Sequence, residues 1–232
     1  MKKFGILIFL GAVILGVVIT SFFSFGQIAP KIFSISFGKK IKGSGNVATE
    51  RRDITDFKAV DVSGVFQVEI AVQKDFAVEI EADDNLLPLI KTEVRNGILH
   101  LETEGRISTE NGLKVRISAP DISRIDASGA ARVDLSGLQS DELRVDTSGA
   151  SKINISGETA RLFVEVSGAS SVDAENLAAK DADISASGAS RVSTFVSNDL
   201  RAHASGASKI VYSGSPKNIE KSPSGASSIR ER

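Results

Sequence analysis

Six times in the second half of the chain the sequence writes Ser-Gly-Ala, starting at residues 128, 148, 167, 187, 205 and 224. The steps between copies are 20, 19, 20, 18 and 19 residues. A unit of about 19 residues is too short to bury an apolar face of its own, so near-equal copies must stack on one another. Aligning the copies on the Ser gives the pattern within the unit. Three residues before it stand Ile125, Val145, Val164, Ile184 and Ala202, and five after it stand Val133, Ile153, Val172, Val192, Ile210 and Ile229. Leu143, Leu162, Ala182 and Leu200 lie five before it, and polar residues alternate with all of these. Period-two alternation on both sides of a small-residue break describes two short strands meeting at a corner.

Equal spacing lets each strand lie over its counterpart in the next coil, ~4.8 Å away, as a parallel ladder. The corner needs a residue that reaches positive φ, which assigns a structural role to Gly129, Gly149, Gly168, Gly188, Gly206 and Gly225. Second Ser-Gly pairs at 136, 156 and 213 mark another bend. Parallel crossovers are overwhelmingly right-handed. The expected fold is all-β: a right-handed parallel β-helix or β-solenoid with coils of about 19 residues, spanning 122–232. Pro216, Pro223 and the charged ending "IRER" suit a last coil whose open edge must resist pairing.

Upstream, residues 49–121 also alternate with period two, as in "VFQVEIAVQ", "FAVEIEA" and "LKVRISAP", and read as an N-terminal β region of the solenoid. Asn96-Gly97 and Asn111-Gly112 lie between such runs, where tight turns are wanted. Pro88 limits "DDNLLPLIKTEV" to a short helical turn. Residues 26–48 read as a basic, Gly-containing tether. Residues 1–25 are a separate object: Lys2 and Lys3 precede the uncharged run Phe4–Phe25, whose 22 residues give ~33 Å of helix, enough to cross a bilayer core. This predicts a signal-anchor transmembrane helix, with a cleaved signal as the alternative at Ser24-Phe25-Gly26. The domain is then expected outside the cytoplasm, in the periplasm or at the cell surface, tethered to the membrane.

Composition narrows the function classes. There are 28 basic and 29 acidic residues, which gives no footprint for nucleic acid. The chain has no Cys, which excludes disulfides, thiolate catalysis and Cys-based metal sites. No cofactor or metal is expected. One Tyr and no Trp leave little aromatic surface for glycan catalysis.

Two outward columns have chemical content. Asp126, Asp146 and Glu165 lie two residues before the Ser, a column continued by Ser185, His203 and Ser222. Acids in register are what a polysaccharide lyase or hydrolase on a β-helix would use, but Arg124 and Arg144 stand two residues from the first two and would neutralise them. His100 and His203 are about a hundred residues apart in sequence, with no second ligand at metal spacing. Gly-x-Ser-x-Gly is absent, so Ser-Gly-Ala is not a nucleophile elbow. Four residues after the Ser come Arg132, Lys152, Arg191 and Lys209, broken by Ser171. This basic column is the candidate ligand-binding site, a track for an anionic polymer weighed against a plain solvated face.

The stretch "DFKAVDVSGVFQVEIAVQKDFAVEIEADDNLLPLIKTEVRNGILHLET", followed by "ISAPDISRIDASGAARVDLSG" and the serial Ser-Gly-Ala coils, resembles the family of putative auto-transporter adhesins, the head GIN domain. The resemblance spans roughly residues 45–230. It implies a β-helical domain, secreted or attached to the bacterial cell envelope, and brings no catalytic residues with it. The apolar start departs from a simple secreted domain. The expectation is a non-catalytic, membrane-tethered solenoid serving adhesion, envelope scaffolding or ligand binding, with an envelope polymer or protein as partner. A sensor ectodomain and a carbohydrate-active β-helix enzyme are the alternatives.

Overall fold

The computed structural model describes residues 40–232. The expected span over 1–25 and most of the tether over 26–48 lie outside the described residues. Among those described, no helix is long and apolar enough to cross a membrane.

The repeats form a β-solenoid of about 5 turns. Four long strands, Arg132–Thr147, Lys152–Val166, Ser171–Ala186 and Arg191–Ala204, each run through most of one coil and pair in parallel with the next. Equivalent residues fall in register: Val133, Ile153, Val172, Val192 and Ile210 form one buried column, and Ile125, Val145, Val164, Ile184 and Ala202 another. Volume is compensated within the later coils. Ala182 is followed by Ile184, and Leu200 by Ala202, so these two coils each bring one bulky and one small side chain to the layer, where the coils before them bring Leu143 with Val145 and Leu162 with Val164.

The Ser-Gly-Ala corners stack directly. All six corner glycines have φ between 69° and 82°. A Cβ placed on Gly168 would stand 2.5 Å from the carbonyl oxygen of Gly149 in the coil below. That same carbonyl accepts the Ala169 N–H at 2.8 Å, so the corner is both left-handed and in contact. The residue after the tripeptide is a further part of the corner. Ser151, Ser170, Ser190 and Ser208 are buried beneath it. The Ser170 hydroxyl accepts the Ser151 N–H at 3.2 Å, and Ser208 donates to the Ala186 carbonyl at 3.0 Å.

The solenoid starts earlier, and in a different order, than the six tripeptides indicate. Ala59–Gly64 pairs in parallel with Arg124–Gly129, matching Ser63-Gly64 to Ser128-Gly129. Phe66–Val72 pairs likewise with the start of Arg132–Thr147. On the other side of 59–72 lie Ile98–Thr103 and Leu113–Ala119, both parallel to it. The spatial order is therefore 98–119, 59–72, 124–136, with the first two layers inverted relative to the chain.

Antiparallel strands close this end. Ile90–Arg95 pairs with Ile98–Thr103 through Asn96 and Gly97, whose φ values of 54° and 75° define a tight hairpin turn. Ala77–Asp83 pairs with Leu113–Ala119, and Val47–Arg52 with Ala77–Asp83. The short helical turn is Leu87–Leu89.

The boundary drawn at 48 is corrected here, because it falls inside the strand Val47–Arg52. Residues 40–46 are likewise no free tether. Ile41–Lys42 pairs with Ile107–Ser108, and the Gly45 N–H donates to Asp83. Asp83 is only 1% exposed and also accepts Asn111 Nδ2 at 2.8 Å and the Thr109 hydroxyl. The Thr109 hydrogen bond holds its carboxyl below the usual range, burial working against it and Asn111 and Gly45 with it. Gly43 owes its identity to this carboxylate, since a Cβ there would overlap it.

At the other end the last coil is closed by charge. Lys221 Nζ sits 4.5 Å above the ring of Tyr212 and donates to its hydroxyl at 2.6 Å. Asn218–Pro223 is exposed throughout and pairs only with Arg191–Ala204. A hydrated ammonium over the last buried aromatic is a polar lid for an apolar stack.

Candidate functional site: two outward columns beside the corner ridge

The ladder turns sequence-distant polar residues into two rows, one on each side of the corners. Before the corner the register reads His100, Asp61, Asp126, Asp146, Glu165, Ser185, His203. Sequence reasoning had Asp126, Asp146, Glu165 and His203 in one column. It missed Asp61 and His100, which join through long-range pairing. A signal was present in "VDVSG", which repeats the pattern of "IDASG".

Three of the four acids of this row are tied down, and Glu165 is exposed with no ion pair among the described residues. Arg124 Nε lies 2.8 Å from Asp126, and its terminal nitrogen reaches Asp146 at 3.1 Å. Arg144 Nε adds a contact to Asp146 at 3.3 Å. His100 Nδ1 lies 2.9 Å from Asp61. Burial pushes the Asp126 carboxyl above its usual range, partly offset by Arg124, and the hydrogen bond to Asp126 raises the Arg124 guanidinium. The groove over this row, about 470 Å³, holds the two guanidinium groups between its carboxylates. A glycosidase needs the space between its two acids for the scissile bond. Here Arg124 bridges Asp126 and Asp146.

After the corner the register reads Lys114, Gln67, Arg132, Lys152, Ser171, Arg191, Lys209, Ser228. Lys114 pairs with Glu81 at 2.7 Å. Ion pairs among the described residues also engage Arg116, Arg124, Arg144, Arg161 and Arg201, and none engages Arg132, Lys152, Arg191 or Lys209. Arg132, Lys152 and Arg191 are exposed and Lys209 half-buried. The row beyond them reads Glu69, Asp134, Asn154, Asp173, Ser193. Asn154 donates to Asp134, and Asp173 accepts the Glu175 N–H at 3.2 Å. Between the two columns the Gly and Ala of each corner are exposed, a ridge with no side chain longer than a methyl group from 149 to 207 at these positions. No group of three or more His, Cys, Asp or Glu among the described residues is placed to hold a metal ion.

The family model described as "Putative auto-transporter adhesin, head GIN domain" matches residues 56–216, from the first corner layer to the last coil. The chain belongs to this family. No curated protein matches it. Among solved structures it is similar to a putative adhesin from Bacteroides fragilis NCTC 9343, with 21% identity over 83% of this chain and 100% of that one, at a TM-score of 0.68. A putative adhesin from Parabacteroides merdae ATCC 43184 matches with 20% identity over 84% and 100%, at 0.59. A putative lipid binding protein from Parabacteroides distasonis ATCC 8503 matches with 19% identity over 84% and 100%, at 0.53. At these identities the likeness to the head GIN chain is one of fold.

Proposed function

We propose that this head GIN protein is a non-catalytic, membrane-tethered binding module of the bacterial cell envelope, adhesin-like in that its affinity is spread along the repeats. The reading takes the coil as right-handed, as parallel crossovers are, and takes residues 1–25 as the anchor. The observation that carries it is the Arg124 guanidinium between Asp126 and Asp146 at 2.8 and 3.1 Å. It ties this pair of acids to one cation, where a glycosidase needs its acids free to act on the scissile bond. The relatives described as adhesins support an extracytoplasmic location. A lipid-binding role, as in the Parabacteroides distasonis relative's description, finds less support, because the interior columns are filled by buried aliphatic side chains.

The test has two arms. A reporter active only after export, fused behind Arg232, should be active and should fractionate with membranes. A soluble product starting near Gln27 would replace the anchor with a cleaved signal. The protein should turn over none of a panel of pectic, alginate-like and peptidoglycan substrates. Turnover that Asp146→Asn, Glu165→Gln or His203→Ala eliminates would overturn the reading, since removing a general acid or base costs ~10²–10⁴-fold in rate.

A further inference from the structure

We infer that the column Arg132, Lys152, Arg191, Lys209 is a binding site for a linear acidic polysaccharide, laid along the solenoid axis on the Gly-Ala side of the column. The inference rests on the non-catalytic binding reading and names its ligand.

Four features carry it. The first is that these cations have no acidic partner among the described residues. Arg124, Arg144, Arg161 and Arg201, in the other columns, each spend their charge on a neighbouring carboxylate. Four cations within one column, none held in an ion pair, leave a positive line that the neighbouring Asp134 and Asp173 offset only in part. The second is register. Arg132 pairs with Lys152, Lys152 with Ser171, Ser171 with Arg191, and Arg191 with Lys209. Strand spacing of ~4.8 Å then sets the line at ~19 Å from first to last, as two adjacent pairs separated by one vacant step. A polyuronate carries a carboxylate on every ring at a repeat comparable with the strand spacing, so its charges can meet the column at successive or alternate steps. A B-form nucleic acid strand, at ~3.4 Å per nucleotide, drifts out of phase within a few steps.

The third feature is access. On the corner side of the column the exposed residues are Gly149-Ala150, Gly168-Ala169, Gly188-Ala189 and Gly206-Ala207. A flat polymer can approach there without displacing side chains. The fourth is exclusion. On the other side, Asp134 and Asp173 disfavour an anion, and the groove of about 510 Å³ there is lined by Glu69, Asp134 and Asp173, with Arg116 against Glu69. These acids, in the layers of Arg132 and Ser171, favour a polyanion on the ridge side, and the column itself sets its direction parallel to the axis.

The test measures binding of oligogalacturonates of two, four and six residues, and of a fully methyl-esterified hexamer, to the full-length chain in mild detergent. The hexamer should bind at least ~10²-fold more tightly than the dimer, because only it engages both pairs at once. The esterified hexamer should not bind. Replacing Arg132, Lys152, Arg191 and Lys209 together by Gln should abolish binding, and each alone should cost about fivefold or less. A control variant with Arg51, Lys74, Lys180 and Lys217 changed to Gln carries the same net charge and should bind as wild type. Ser171→Lys fills the vacant step and should tighten hexamer binding about threefold to fivefold, a gain that misfolding cannot produce. Equal losses in the two fourfold variants, or no effect of Ser171→Lys with no dependence on length, would overturn the inference. Absence of hexamer binding by an envelope-attached, inert protein would overturn this inference and leave the non-catalytic reading standing. Cleavage of the hexamer would overturn that reading itself.

Discussion

The two demands on a corner glycine, positive φ and close contact, can be separated by comparing Gly168 with Gly97. Both are left-handed, at 72° and 75°. A Cβ added at Gly97 would meet nothing within 4 Å, whereas one added at Gly168 would stand 2.5 Å from the Gly149 oxygen. At Gly97, Ala therefore meets backbone strain alone, ~1–2 kcal/mol. At Gly168 the Gly149 carbonyl must also retreat by nearly an ångström. That carbonyl accepts the Ala169 N–H, so the movement weakens a coil-to-coil hydrogen bond worth ~0.5–1.5 kcal/mol as well. Gly168→Ala should then cost ~1.5–3.5 kcal/mol in all. Asn is the discriminating residue, because it tolerates the left-handed region but still carries a Cβ. Gly97→Asn should be nearly neutral, and Gly168→Asn should remain clearly destabilising. Urea unfolding midpoints of the four variants decide the matter. If Gly168→Asn is as mild as Gly97→Asn, close stacking of the corners is not what requires glycine, and the packing argument fails.

Three further outcomes follow from the same geometry. Asp83 is held below the usual carboxylate range in the fold, so its contribution is complete above its unfolded value of ~3.9 and is lost as pH falls through its lower folded value. Hydrogen exchange should show residues 41–52 and 107–111 losing protection in acid before the central coils do, and Asp83→Ala should give that pattern at neutral pH. The Asp126 carboxyl is pushed up, so its charged form opposes folding at neutral pH and the opposition is relieved as pH falls below its folded value. With Arg124→Gln the offsetting partner is gone, and thermal stability should rise from pH 7 toward pH 4 over a wider range than in wild type; a flat profile would refute the assignment. Truncation after Gly214 removes the lid formed by Lys221 over Tyr212 and should yield a protein that aggregates, as seen by light scattering.

The stacked coil was legible because its information is local and repeated. Aliphatic pairs two residues apart, with Gly at a fixed offset, require no knowledge of distant chain. The order of the first layers was not legible. That 59–72 lies between 98–119 and 124–136, paired with both, depends on contacts between strands far apart in sequence, and Ile98–Thr103 alternates much as Arg124–Gly129 does. The corner at Ser63-Gly64 was hidden because Val65, 58% exposed, stands where the later corners have Ala. That missed layer is also why Asp61 and His100 were absent from the acid column. Gly43 and Gly45 read as flexible spacer, yet Gly43 makes room for the Asp83 carboxylate and Gly45 donates to it. The basic column was legible as a list of residues, but not the lack of partners that distinguishes it from Arg124 and Arg144.

Everything argued for both columns depends on the coils stacking in register and in the order 98–119, 59–72, 124–136, and cysteine cross-linking reads this directly. The chain has no Cys, so introduced pairs have no background. Neighbouring layers place Cα atoms ~4.8 Å apart, within the range a disulfide spans, whereas positions two layers apart are ~10 Å away and cannot be bridged. Mild oxidation should join Gln67→Cys to Arg132→Cys, Gln67→Cys to Lys114→Cys, and Arg132→Cys to Lys152→Cys. It should not join Lys114→Cys to Arg132→Cys. A disulfide in that last pair, with none between positions 67 and 132, would contradict the layer order and the ladder built on it.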